Sequence, residues 1–469
     1  MIRTHRALTA ALAVATLALA GCGAGEQLNR LNPFDRETDD PNAPEDAERV
    51  SILAFEESLD RGDAFGTPVD VPPPYVNDSW PQPDGFPTHA MQHTAASGPL
   101  QRVWRRSIGQ GSGSDRRLNA RPVVSGGLVY TIDARGRITA MDAETGAERW
   151  TTRLTAEAEA EPGGAVGFIP FVGAGDERVA FGGGLAVGDG RVYAHAGYEY
   201  VVALDAQTGE EIWRQSAFTP FHTAPTVAGG RVYVATDDNE LFAFDTEDGT
   251  VLWTHRGIAE TARLITAPSP AVLGDVVIAP YTSGEIVAIR AQNGSVLWSD
   301  SLTRSGGLTP LAAINDIAGS PVIMNDQVYA SAHSGTMAAF DLRTGERVWT
   351  QPAGALHAPW VAGDFLFMVT TDGEVVAMER ETGTARWITD LPAFRNERRR
   401  RNRIAYAGPI MAGGRLLVAS SEGDLIILDP ATGAVQGERD LGDAVFIAPV
   451  IANETVYVLT DEGRLVALR

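Results

Sequence analysis

The chain has 469 residues, 44% hydrophobic and 21% charged, with 38 basic against 60 acidic residues and a formal charge of −22. This excess of acid argues against nucleic acid as a partner, because phosphate binding needs a basic face. The single cysteine cannot form an internal disulfide.

The N-terminus, MIRTHRALTAALAVATLALAGCG, places Arg3 and Arg6 before an apolar run from Ala7 to Ala20. That run is too short to cross a bilayer, so it is expected to be a secretory signal. Cys22 directly follows Leu19-Ala20-Gly21, an order that resembles the lipobox of bacterial lipoproteins and implies removal of residues 1–21 and lipidation of Cys22. The alternative is an ordinary signal peptide with an incidental cysteine. Gly23 rather than an aspartate follows the cysteine, which favours the outer membrane. The mature chain would then hold 36 basic and 60 acidic residues, a charge of −24. Such a charge suits a soluble body on a lipid tether, repelled from anionic surfaces.

Residues 22–99 are rich in Pro, Asp and Asn and are expected to form a largely extended tether. Within them PEDAERVSILAFEESLDR, residues 44–61, could align Val50, Leu53 and Ala54 on one helix face as a short docking segment. His89 and His93 have the spacing of two helical metal ligands. Helix breakers surround them and no third ligand lies nearby, so no metal is expected.

From residue 100 onward the sequence repeats. The frame that starts at Pro122 returns at Pro225, Pro270, Pro321, Pro359, Pro409 and Pro449. Each time Gly or Asn stands four residues later, and an apolar pair such as Val129-Tyr130 stands seven and eight later. An eighth copy begins at Gly184 with no proline. The runs are short, rich in Val, Leu, Ile and Tyr, and divided by Gly, Asn and Asp turns, which predicts strands. Segments such as LFAFD are apolar on both sides, so their sheets should lie between neighbouring sheets, as the blades of a β-propeller do.

Three copies end on the pattern D-x-x-T-G-x-x-x-W, closed by Trp150, Trp213 and Trp349, and Trp253 closes a near-copy with Asp248 in place of the Thr. The Asp can cap turn amides, the Gly supplies positive φ, and the Trp buries its ring between blades while its N–H seeks a partner. Arg290 and Glu379 replace the Asp in two copies, so the repeated carboxylates are packing devices rather than catalysts. The eighth copy reaches Arg469 without its turn or Trp strand, whereas LQRVW upstream supplies a strand with Trp104. An N-terminal strand completing the last blade would close an all-β, eight-bladed propeller over residues 100–469.

This repeat behind a lipobox resembles the BamB family of outer-membrane assembly factors, which are lipoproteins of the β-barrel assembly machinery. The residues upstream of the repeat look like the long extension of α-proteobacterial members. The resemblance implies no enzyme activity and no cofactor. It implies a scaffold, lipid-anchored on the periplasmic face of the outer membrane, that docks on the POTRA domains of BamA beside other assembly subunits and assists unfolded outer-membrane proteins. By position, Arg263 in IAETARLITAPSP and Asp316 in AAINDIAGSP fall on two of the family's docking residues, while Glu260, Ala262 and Ala318 depart from its pattern.

Two other classes share parts of this pattern. A quinone-dependent dehydrogenase would use the same repeat but needs Ca²⁺ ligands and a catalytic residue. The long insertion between the first two copies shows no ligand cluster. A propeller that binds envelope polymers would find support in RNERRRRNR, where Arg395, Arg398, Arg399, Arg400, Arg401 and Arg403 suit an acidic partner or a lipid headgroup. His222 and His357 precede inner-strand prolines and should lie near the mouth of a central channel, without forming a metal site.

Overall fold

The computed structural model describes residues 58–156, 183–260, 262–303 and 314–469. Eight four-stranded antiparallel sheets follow one another as blades. In blade 1 the strands are Val123–Ser125, Leu128–Ile132, Arg137–Asp142 and Glu148–Arg153, paired in chain order from the axis outward. Blades 2 to 7 repeat this order over residues 184–216, 226–256, 271–301, 322–351, 360–390 and 406–440. Blade 8 takes three strands from residues 450–468, and its outer strand is Arg102–Ser107, which pairs with Arg464–Leu468. The ring therefore closes as its repeat count predicted.

The two-sided apolar strands are buried as expected: in Glu240–Asp245 all four central residues are buried. Hydrophobic clusters run between adjacent blades, so each blade's core is completed by its neighbour. Turn chemistry fixes each blade's edge. Asp341 Oδ1 accepts from the N–H groups of Arg343 and Thr344 at 3.0 and 2.7 Å, and a register shift in the adjoining pairing marks the bulge.

The tryptophans link blades in a cycle. Trp104, Trp150, Trp213, Trp253, Trp298, Trp349 and Trp387 each donate the indole N–H to a backbone carbonyl of the next blade, at 2.8 to 3.3 Å. The acceptor is always the residue after the one that leads the next blade's turn, Ala143 through Pro430. The turn glycine lies against the ring: a Cβ on Gly345 would stand 2.6 Å from Trp298, and its φ of +76° also demands glycine. Blade 7 alone has no tryptophan, with Gly437 in its place. Its neighbour, blade 8, is closed by the N-terminal strand and has no such turn to receive one. Donor and acceptor are missing together.

The expectation of a tether up to residue 99 requires correction. The compact unit begins at Ser58. Residues 77–94 trace a full circle around the inner strands and meet every blade in turn. Asn77 bonds blade 8 through Asn453 N and Ile451 O, Trp80 exchanges two backbone bonds with Val124 of blade 1, and Pro81 O accepts from Val187 of blade 2. Gln82 takes both backbone groups of Val227 in blade 3. Pro87 O and Thr88 O accept from Val272 and Ile323 of blades 4 and 5. Gln92 holds Gly363 and Trp360 of blade 6, and Thr94 holds Met411 and Gly413 of blade 7. The physical reason is the innermost strand, which has one side unpaired within its blade and must bond something there. The candidate helix at 44–61 lies outside the described residues except for 58–61, which are not helical.

Candidate docking face

Because strands alternate in direction, the turns after the first and third strand of each blade share one end of the ring. The extension covers that end, bonding Gly363, Gly413 and Asn453 in the first turns. The loops that connect blades lie at the opposite end and carry Arg263, Asp316, His222, His357 and the arginine segment.

Arg263 is held from behind. Its Nη2 lies 2.7 Å from Asp237 Oδ1, in the turn between the middle strands of blade 3. His222 Nδ1 is 3.6 Å from the same oxygen. Burial, then the charge of Arg263, lowers the His222 pKa to about 3, and burial lowers that of His195 to about 4. Both rings are therefore neutral: His195 spans Thr223 O at 2.8 Å and Gly197 N at 3.2 Å. They pack beneath the ion pair. Burial raises the Asp237 pKa and Arg263 opposes that shift.

Asp316 lies beside Arg263 and is buried. It is only 2% exposed, and its Oδ2 accepts the Leu264 N–H at 2.9 Å while Arg263 Nη1 donates to Leu264 O at 3.2 Å. The carboxyl thus fixes the loop that presents Arg263. Burial pushes its pKa to about 6, against the opposing pull of the Leu264 N–H and Arg263. A raised carboxyl pKa favours folding while the group is protonated, and that contribution is lost as pH rises from the unfolded value of 3.8 through about 6. Asp316→Asn keeps an acceptor for Leu264. It should gain about 1–3 kcal/mol over the wild type at about pH 7 and nothing at about pH 4, as read by urea unfolding. A loss at the higher pH would refute this account.

At the axis on this end, a cavity of about 100 Å³ is lined by Arg121 and His357, with Ile265 and Phe446 among its apolar walls. A second space of about 20 Å³ lies among Trp80, Asp84, His89 and Arg121. Arg121 pairs with Asp84 and approaches His357 Nδ1 at 3.5 Å. Sequence reading missed this pair, since Asp84 comes from the supposed tether. His89 donates to Pro321 O at 2.7 Å, and His93 bridges Pro72 O and Gly414 N at 2.6 and 2.7 Å, so both tie the extension to its surroundings. Among the described residues no three His, Cys, Asp or Glu side chains gather as metal ligands. Cys22 and most of the insertion between blades 1 and 2 lie outside the described residues.

The arginine segment forms a hairpin, Phe394–Asn396 paired with Arg401–Arg403, between blades 6 and 7. Elsewhere on these loops Phe218 is fully exposed, and Ile258, Ile265 and Phe446 are substantially so. A family model described as outer membrane protein assembly factor BamB matches residues 93–181, 172–389 and 397–469.

The chain belongs to the BamB family. The BamB of Yersinia pestis is 27% identical over 367 residues, 78% of this chain and 88% of its own length. The crystal structure of BamB from Moraxella catarrhalis superimposes with a TM-score of 0.65 at 19% identity, covering 79% of this chain and 99% of that one. The quinohemoprotein alcohol dehydrogenase of Comamonas testosteroni shares the fold with a TM-score of 0.62 at 14% identity, over 83% of this chain and 80% of its own. The BamB family match begins at residue 93, so nearly all of the circle over 77–94 lies outside it.

Proposed function

We propose that this BamB-family propeller is a non-enzymatic scaffold of the outer-membrane β-barrel assembly complex. It is anchored through a lipidated Cys22 on the periplasmic face and docks on the POTRA domains of BamA with its loop end. The observation that carries the docking reading is Arg263, held by Asp237 on a loop between exposed Ile258 and Ile265. A pre-positioned arginine among apolar neighbours is the composition of an interface centre. The scaffold reading also draws on the axis: the two cavities described there, about 100 and about 20 Å³, are smaller than typical cofactor sites of about 300–1,000 Å³. Substrate strands have a place to pair on the blades' outer strands, where Val251-Leu252 and Val296-Leu297 stand half-exposed.

The test is affinity purification of the lipidated protein from solubilised envelope, with wild type beside Arg263→Glu and a melting curve for each. BamA should co-purify with wild type and fall about tenfold or more with the variant at unchanged melting temperature. Equal recovery would move the docking site elsewhere, and absence of BamA from the wild-type sample would overturn the scaffold reading.

A further inference from the structure

We infer that the arginine hairpin, residues 394–403, is a membrane-facing element that binds the phosphate headgroups of anionic lipids. The hairpin is preorganised. Asn396 Oδ1 accepts the Arg399 N–H at 3.0 Å to cap a single 3-10 turn, and Arg400 closes it in the left-handed region at φ 46°. Glu397, its one acid, turns inward to accept the Phe394 N–H at 2.9 Å.

The six arginines divide into two sets. Those at the base are already engaged: Arg395 pairs with Glu422 at 3.1 Å, and Arg403 reaches Asp372 at 3.7 Å and Thr371 O. Arg400 and Arg403 also flank the Phe394 ring at 5.5 and 5.9 Å, which stiffens the base. At the tip, Arg398, Arg399, Arg400 and Arg401 are exposed and have no carboxylate at ion-pair distance among the described residues. Every basic residue of this chain is arginine, so residue type alone says little. The information lies in the clustering, because four uncompensated guanidinium groups on one turn sit in a strongly acidic protein. A surface with that charge is repelled from anionic lipid everywhere except at such a projection.

Chain geometry selects lipid over a soluble acidic partner. The compact unit begins at Ser58, and the extension first bonds blade 6, with Asp60 O accepting from Ala385 and Gly66 donating to Arg386 O, both at 2.7 Å. These residues open the strand Ala385–Asp390, whose far end leads into the hairpin. The chain therefore enters on the outer flank of blade 6 at one end of this strand, and the hairpin rises from its other end, about 20 Å away. From Cys22 to Ser58 the chain can span at most ~120 Å. An acyl anchor at Cys22, which belongs to the proposed function above, would keep this flank within reach of the bilayer, and a basic patch beside a lipid chain is a two-part membrane attachment.

The test uses the full mature chain with Cys22→Ser, so that a failure of the anchor reading leaves the result intact. Co-sedimentation is measured with vesicles of phosphatidylglycerol and phosphatidylethanolamine, and with phosphatidylcholine vesicles. The wild-type hairpin should bind the anionic vesicles, release them in high salt and ignore the zwitterionic ones. Arg398→Gln, Arg399→Gln, Arg400→Gln and Arg401→Gln together should weaken binding about 100-fold or more, at about fivefold per residue. The melting temperature should hold, since Arg398, Arg399 and Arg401 are exposed and Arg400 only flanks the Phe394 ring within this surface hairpin, beside Arg403. Equal binding by both proteins, or no binding by the wild type, overturns the inference. So does hairpin-dependent capture by peptidoglycan fragments or by a second copy of the chain without vesicle binding.

Discussion

Replacing Trp80 by alanine should lower the stability of the whole propeller by about 3–5 kcal/mol, although Trp80 belongs to no blade. The ring is 2% exposed, stacks on Trp360 with centroids 6.1 Å apart, and donates its N–H to Pro83 O at 3.2 Å. Its backbone exchanges two bonds with Val124, so the side chain fixes the point where the circle meets blade 1. A propeller is otherwise held by neighbour contacts alone, and its blades can loosen separately. A segment bonded to all eight blades couples them, so the variant should also unfold less cooperatively, with a smaller dependence on denaturant concentration. Urea unfolding followed by far-UV circular dichroism checks both. Val76→Ala, at a side chain 58% exposed, serves as the control and should cost less than about 0.5 kcal/mol. If Trp80→Ala behaved like that control, the circle would be an ornament on a propeller that stands without it.

The same segment marks where the sequence is legible and where it is not. The blades could be counted because each repeats one chemical solution, and the closing strand followed from a copy that lacked its turn while Trp104 stood unclaimed upstream. Even the gap at Gly437 obeys that logic, since it falls where the neighbouring blade offers no acceptor. The circle has no period to detect. It uses backbone carbonyls at Pro81, Pro87 and Thr88, which any residue could supply, and scattered side chains at Asn77, Gln82, Gln92 and Thr94. A stretch rich in proline and amides reads as a tether when its partners lie hundreds of residues away. Asp316 was obscure for a related reason: a loop carboxylate is usually solvated, and only the fold reveals that Leu264 has been laid over it.

Asp84→Ala should be as damaging as the loss of Trp80, about 3–5 kcal/mol, because it strands a buried cation. Asp84 pairs with Arg121, whose guanidinium is so enclosed that burial lowers its pKa to about 10. The other oxygen of Asp84 accepts from Ser320 Oγ at 2.5 Å, and Ser320 Oγ accepts from Ser269 N at 2.9 Å, so one carboxylate joins the extension to blades 1, 4 and 5. His357 cannot take over, since burial and then the charge of Arg121 hold its pKa at about 3 and keep it neutral. Desolvation makes the pair a poor source of net stability, so removing both charges should hurt far less than removing one. Arg121→Met in the Asp84→Ala background is therefore expected to recover about 2 kcal/mol or more in urea unfolding. Additive losses would mean that water reaches Arg121 and that the axis is wetter than its packing indicates. The His357 contribution runs the other way with pH: a folded pKa below the unfolded 6.5 gives stability that is full above that value and is lost as pH falls toward about 3. Acid should thus bring a second positive charge against Arg121, and the penalty of Asp84→Ala should grow as the pH is lowered, over the same range in which the gain from Asp316→Asn shrinks to nothing.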